Sequence, residues 1–168
     1  MSNLELIETY KIELLKYSLE QLRFITADGV WSIGQMYDHV ILVAMEYLDN
    51  VEACAALKEE QKLGKTESGE HFYKIGGFPP IKIKLPDELN TPPSNSDNIE
   101  ELSGRLDQVK QRLRQWESRV DAINPNYKVK HGGLGWLNAR EWFDLVDMHF
   151  RHHLRQKSEL EHKIRFRH

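Results

Sequence analysis

Four times along this chain a helix-capping side chain is followed three positions later by Glu or Gln, and each time an apolar stripe at helical spacing begins just beyond it. The pairs are Ser2/Glu5, Ser32/Gln35, Asp97/Glu100 and Asn138/Glu141. The capping side chain accepts a bond from an orphan N–H of the first turn, and the Glu or Gln reaches back to the cap's own N–H. Two of the starts add an apolar staple, Trp31 with Met36 and Leu137 with Trp142, which fixes how the chain approaches the helix. Four starts of one kind in 168 residues point to a bundle of four helices.

The stripes agree. Leu102, Leu106, Val109, Leu113, Trp116, Val120 and Ile123 alternate steps of four and three, the seam of a helix packing at a shallow angle. The first segment repeats the pattern through Leu4, Ile7, Tyr10, Leu14, Tyr17 and Leu22 and is expected to end near Ala27-Asp28-Gly29. The second is expected to run from Ile33 to about Gly64, the fourth from Ala139 to about Ile164. Gly and Pro breakers keep each segment near bundle length, which argues against a long coiled coil. The expected fold is all-α, one domain over residues 1–168, with a long crossover link between the second and third helices. That link, about residues 65–96, holds Gly76-Gly77, Pro79-Pro80, Pro86 and Pro92-Pro93, and it is expected to cross the bundle or cover one end. Within it, residues 81–85 alternate apolar and basic side chains, as an extended segment on a surface would. A second loop spans residues 124–137.

Composition narrows the class. A charged fraction of 29% and an apolar fraction of 40% are those of an ordinary globular chain, and no run approaches the length of a membrane span. The start, Met1-Ser2-Asn3-Leu4-Glu5, has none of the marks of a secretory signal. Cys54 is the single cysteine, so no internal disulfide can form and a cytoplasmic location is expected. A formal net charge of −3 gives no electrostatic reason for a nucleic-acid partner. The basic residues Arg151, Arg155, Lys163, Arg165 and Arg167 are read as complementing the dipole of a final helix.

Chemistry concentrates in the histidines. At about 100° per residue, His149 and His153 lie about 40° apart, one turn from each other, on the side that carries Trp142, Leu145, Val146, Gln156 and Leu160. Two imidazoles so placed can converge on one ion. His152, about 60° from His149 on the opposite flank, is a poorer candidate that stays open. A zincin protease needs Glu directly after the first histidine, and Phe150 stands there. A third ligand would have to come from another helix, and His39, flanked at helical spacing by Met36 and Val43, qualifies best. Gln35 and Glu46 project on the same flank and could orient a ligand or hold a water. His71 and His131 in loops, and His162 and His168 near the terminus, are expected to be exposed and without a role.

The stretch Trp31-Ser32-Ile33-Gly34-Gln35-Met36-Tyr37-Asp38-His39 resembles the start of the second helix in the DinB/YfiT-like proteins. Gly135-Trp136-Leu137-Asn138-Ala139-Arg140-Glu141-Trp142, continuing through Met148-His149-Phe150-Arg151-His152-His153-Leu154-Arg155-Gln156, resembles their fourth-helix signature. The likeness is close in these two helices and elsewhere rests on length and helix order. It implies a four-helix bundle with a long link between helices two and three, and a divalent metal, usually zinc or nickel, held by His39, His149 and His153. It also implies a metal-dependent enzyme acting on a small molecule, a transferase or isomerase using bacillithiol, mycothiol or a similar thiol, or a related hydrolase. The alternative is a non-catalytic binding or stress protein in which the metal only stabilises the bundle. Three imidazoles suit several metals alike, so the ligand set does not choose among them. A homodimer paired through a helix face is the expected assembly.

Overall fold

The structure is a computed structural model and describes residues 2–26, 29–79 and 92–165. Helix α1 (Asn3–Leu14) begins at the Ser2/Glu5 box, in which both reciprocal bonds form. The first segment does not continue as one helix. It breaks after Leu14, and Ser18 with Gln21 makes a further capping box that starts the short α2 (Leu19–Arg23). Helix α3 (Ile33–Ala56) starts at the Ser32/Gln35 box and stops well short of Gly64. The link then carries an unexpected helix, α4 (Glu67–Ile75), capped by Thr66 and closed by Gly76 at φ 73°, a left-handed conformation that favours glycine. The alternating stretch at residues 81–85 lies outside the described residues.

Helix α5 (Ile99–Glu117) begins one residue later than expected. Its cap is Asn98, paired with Glu101, while Asp97 turns its carboxylate to Arg105 at 2.7 Å. A 3-10 turn, Val120–Ala122, follows. The second loop folds as an antiparallel hairpin, β1 (Lys128–His131) with β2 (Gly135–Asn138), and β2 feeds directly into α6 (Ala139–Arg165). At that junction the Asn138/Glu141 box forms, with bonds of 3.0 and 2.9 Å.

The long helices α1, α3, α5 and α6 make the bundle: α3 packs on both α5 and α6, and α1 packs on both from the other side. The all-α expectation therefore holds, with the small hairpin as an addition. Tyr10, Tyr37 and Phe150 meet at the centre, all at most 1% exposed. Their rings stand edge to face, with Tyr10 5.5 Å from Tyr37 and 5.0 Å from Phe150. Burying each ring contributes about 1.5–3 kcal/mol, but for the two tyrosines only if the hydroxyl finds a partner. Both do. Tyr37 donates to the Tyr10 carbonyl at 2.7 Å, and Tyr10 donates to the Phe150 carbonyl at 2.5 Å. Burial pushes both phenols well above their usual range, so they remain donors. The second of these bonds ties α1 to α6 at the residue next to His149.

On the other side of the bundle, Arg105 of α5 donates to Asp38 of α3 at 2.8 Å, and Asp38 also accepts from the Ser94 backbone at 3.0 Å. Helix α4 is tied to the hairpin and α6 by Thr66 N–H to the Leu134 carbonyl at 2.9 Å and by the Tyr73 hydroxyl to the Glu141 carbonyl at 2.6 Å. Among the described residues, no helix is long and apolar enough to cross a membrane.

Candidate metal centre

Helix α3 presents His39 and α6 presents His149 and His153 between the two helices, which pack on each other. One nitrogen from each ring can be chosen so that the three lie within 4.8 Å of one another. The ring centres are 5.0 Å apart for His39 and His149, 4.8 Å for His39 and His153, and 4.4 Å for His149 and His153. The Nε2 atoms of His149 and His153 are 3.1 Å apart. Two nitrogens bound to one tetrahedral zinc at about 2.0–2.1 Å stand about 3.3 Å from each other, so this pair needs only a small adjustment to share an ion.

His153 is oriented from behind. Its Nδ1 lies 2.5 Å from Gln156 Oε1, an acceptor, so Nδ1 carries the proton and Nε2 keeps its lone pair for the cluster. Sequence spacing put Gln156 on the correct face without revealing this bond. The signal was available, since residues three apart on a helix are neighbours.

Burial sets the protonation. It is the largest cause holding His39, His149 and His153 below the ordinary imidazole value, and for His149 and His153 the neighbouring histidines add to it. His153 is brought down to about 4 and His149 lies well below 6.5. All three are thus neutral near pH 7, the state in which an imidazole can ligate a metal. His149 is 8% exposed, and its Nδ1 is buried with no hydrogen-bond partner among the described residues. Such a group costs about 1–3 kcal/mol, a penalty that a metal bond at the ring's other nitrogen would offset. The donor set therefore fits a divalent ion, and three imidazoles leave at least one tetrahedral position open.

The surroundings are aromatic. Trp31 stands 5.2 Å from His39, Tyr47 5.9 Å from His149, and Phe78, just beyond α4 in the link, 5.9 Å from His149. Phe78 was not foreseen, because nothing in the order of the link indicates where it folds back. His152 lies outside the three-nitrogen group, with its ring against Phe78 at 5.4 Å and His153 at 5.2 Å.

Gln35 and His131 are placed otherwise than expected. Gln35 is occupied elsewhere, its Oε1 accepting from Ser32 N–H in the capping box and its Nε2 donating to the Pro93 carbonyl. Glu46 is exposed. His131 is not an exposed loop residue: it is half-buried at the hairpin end, 5.5 Å from the Trp142 ring. Its Nδ1 accepts from the Gly133 and Leu134 amides at 3.0 and 3.1 Å. Cys54 is buried, its thiol bonded to the Leu137 carbonyl at 3.7 Å and pushed up to about 11 by burial, so it is no nucleophile.

Fold and site together define a helical bundle with a three-histidine cluster between its second and last long helices. The chain belongs to the DinB superfamily, which it matches over residues 9–156, a span that includes all three histidines and Gln156. Over 86 residues it is 30% identical to the Lamassu protein LmuB of Bacillus cereus (strain VD014). That stretch is 51% of this chain and 14% of the LmuB protein. No solved structure matches the chain.

Proposed function

We propose that His39, His149 and His153 bind one divalent metal ion, zinc or nickel, and that the protein is a metal-dependent enzyme acting on a small molecule. The reaction is transfer of a low-molecular-weight thiol of the bacillithiol type to an electrophile, or a related hydrolysis. The observation that carries this reading is the convergence of three neutral imidazoles from two helices, within 4.8 Å, with one of them oriented by Gln156. When bound, the ion supplies Lewis acidity, lowering the pKa of a water or thiol so that a nucleophile exists at neutral pH. The chain's own part is to hold the ligands: the Tyr10 bond to Phe150 ties α1 to α6 at the residue next to His149, and the Gln156 bond fixes the tautomer of His153. Trp31 packs beside His39, and Tyr47 and Phe78 beside His149.

A second reading, a metal-stabilised binding or stress protein without turnover, draws on the Phe78 ring, which stands close over His149. A thiol-conjugation assay separates the two. Zinc- or nickel-loaded protein is given bacillithiol and a generic aryl halide, and thiol loss is followed with time. The enzyme reading expects turnover that disappears in His149→Ala. Metal-dependent stabilisation with no thiol loss would leave the non-catalytic reading standing.

A further inference from the structure

Beside the histidine cluster, on the outer flank of α6, lies a pocket of about 150 Å³ lined by Gly77, Phe78, Met148, Arg151, His152 and Arg155. It shares walls with the cluster, since Phe78 touches both His149 and His152, and His152 touches His153. Phe78 and Met148 supply an apolar wall, and the other described lining residues are basic or neutral. The two arginines differ in how they are used. Arg151 bonds to Asp147 at 2.7 Å and to the Gly76 carbonyl at 2.8 Å, so its charge is balanced and its fork holds the end of α4. Arg155 makes no ion pair or hydrogen bond among the described residues and stands at the pocket with its donors available.

We propose that this pocket receives the carboxylate end of an apolar or aromatic small molecule, with Arg155 as its partner and Phe78 packing on its body, so that the molecule's reacting group lies over the histidine cluster. One uncompensated guanidinium suits a monoanion, and its planar fork matches a carboxylate in two bonds. A phosphate, with nearly two charges, would need Arg151 as well, and Asp147 already holds that side chain. As a substrate subsite the pocket rests on the reading of the cluster as the reacting centre. As a carboxylate pocket it does not.

The test is a 19F NMR titration with 4-fluorobenzoate, and with the neutral 4-fluorobenzamide as its control, on chelator-treated protein so that a metal cannot be what binds the carboxylate. For a partly exposed charge-assisted pair, the benzoate should bind at least about fivefold more tightly than the benzamide, and Arg155→Gln should remove that preference. The metal content of Arg155→Gln purified without chelator should match that of the unaltered protein. Equal affinity for the two probes, or a preference that survives Arg155→Gln, overturns the pocket whatever the metal analysis gives. Carboxylate binding that depends on Arg155 in a protein that takes up no metal would keep the pocket and remove the reading of the cluster instead.

Discussion

His153 is held from behind by Gln156 at Nδ1, while its Nε2 faces the Nε2 of His149 at 3.1 Å. A ligand held in this way depends on its outer partner, and losing such a partner weakens metal affinity about 10- to 100-fold. Gln156→Leu should show that loss in competition with a chromophoric chelator while every imidazole is kept. Unchanged affinity would mean that packing alone aims the ring. The pair on α6 was legible from spacing because a helix turns a fixed angle per residue, and Phe150 was enough to exclude the protease pattern. His39 needed a partner helix to give it meaning. The roles of Phe78 and His131 depend on where a link and a hairpin fold back, which local patterning does not encode.

At the scale of elements, the starts of the four bundle helices were readable to within a residue, because capping is a local bargain between a side chain and the first turn, whereas the starts of α2 and α4 were not read. The exception is instructive. Asp97/Glu100 was the expected box, but Arg105 takes the Asp97 carboxylate, and Asn98 instead accepts from Glu101 N–H at 2.8 Å. Asn98→Ala should lower unfolding stability by about 1 kcal/mol in a urea titration, and no loss would put the start of α5 elsewhere. Helix ends were less legible. The break after Leu14 has no Gly or Pro to announce it, and four-residue strands are too short for their alternation to stand out. The contact of α4 with the hairpin is also tested by one residue. A Cβ on Gly69 would lie 2.2 Å from the Leu134 carbonyl oxygen, so Gly69→Ala must push the two elements apart. Overpacking of this kind costs about 1–3 kcal/mol, readable as a lowered urea midpoint.

For the whole molecule, the buried histidines couple stability to pH. Folding lowers the pKa of His39, His149 and His153 from 6.5, to about 4 for His153. Above 6.5 neither folded nor unfolded chain holds these protons. As pH falls, the unfolded chain takes them up first, so the stability present above 6.5 is lost progressively as pH falls toward about 4. Metal-free protein should therefore show a urea midpoint that drops between about pH 7 and about pH 4.5, and replacing His149 and His153 together by Phe should flatten that slope. A slope unaltered by the replacement would place the acid sensitivity in other groups.

Fold and site meet in one quantity, the metal content of the protein purified without a histidine tag. Elemental analysis should find about one zinc or nickel per chain, as a three-imidazole site requires, and should find that His39→Ala, His149→Ala and His153→Ala each lose most of it while remaining folded by circular dichroism. Unaltered protein that carries no stoichiometric metal, and gains no thermal stability when zinc or nickel is added, would contradict the account at its centre.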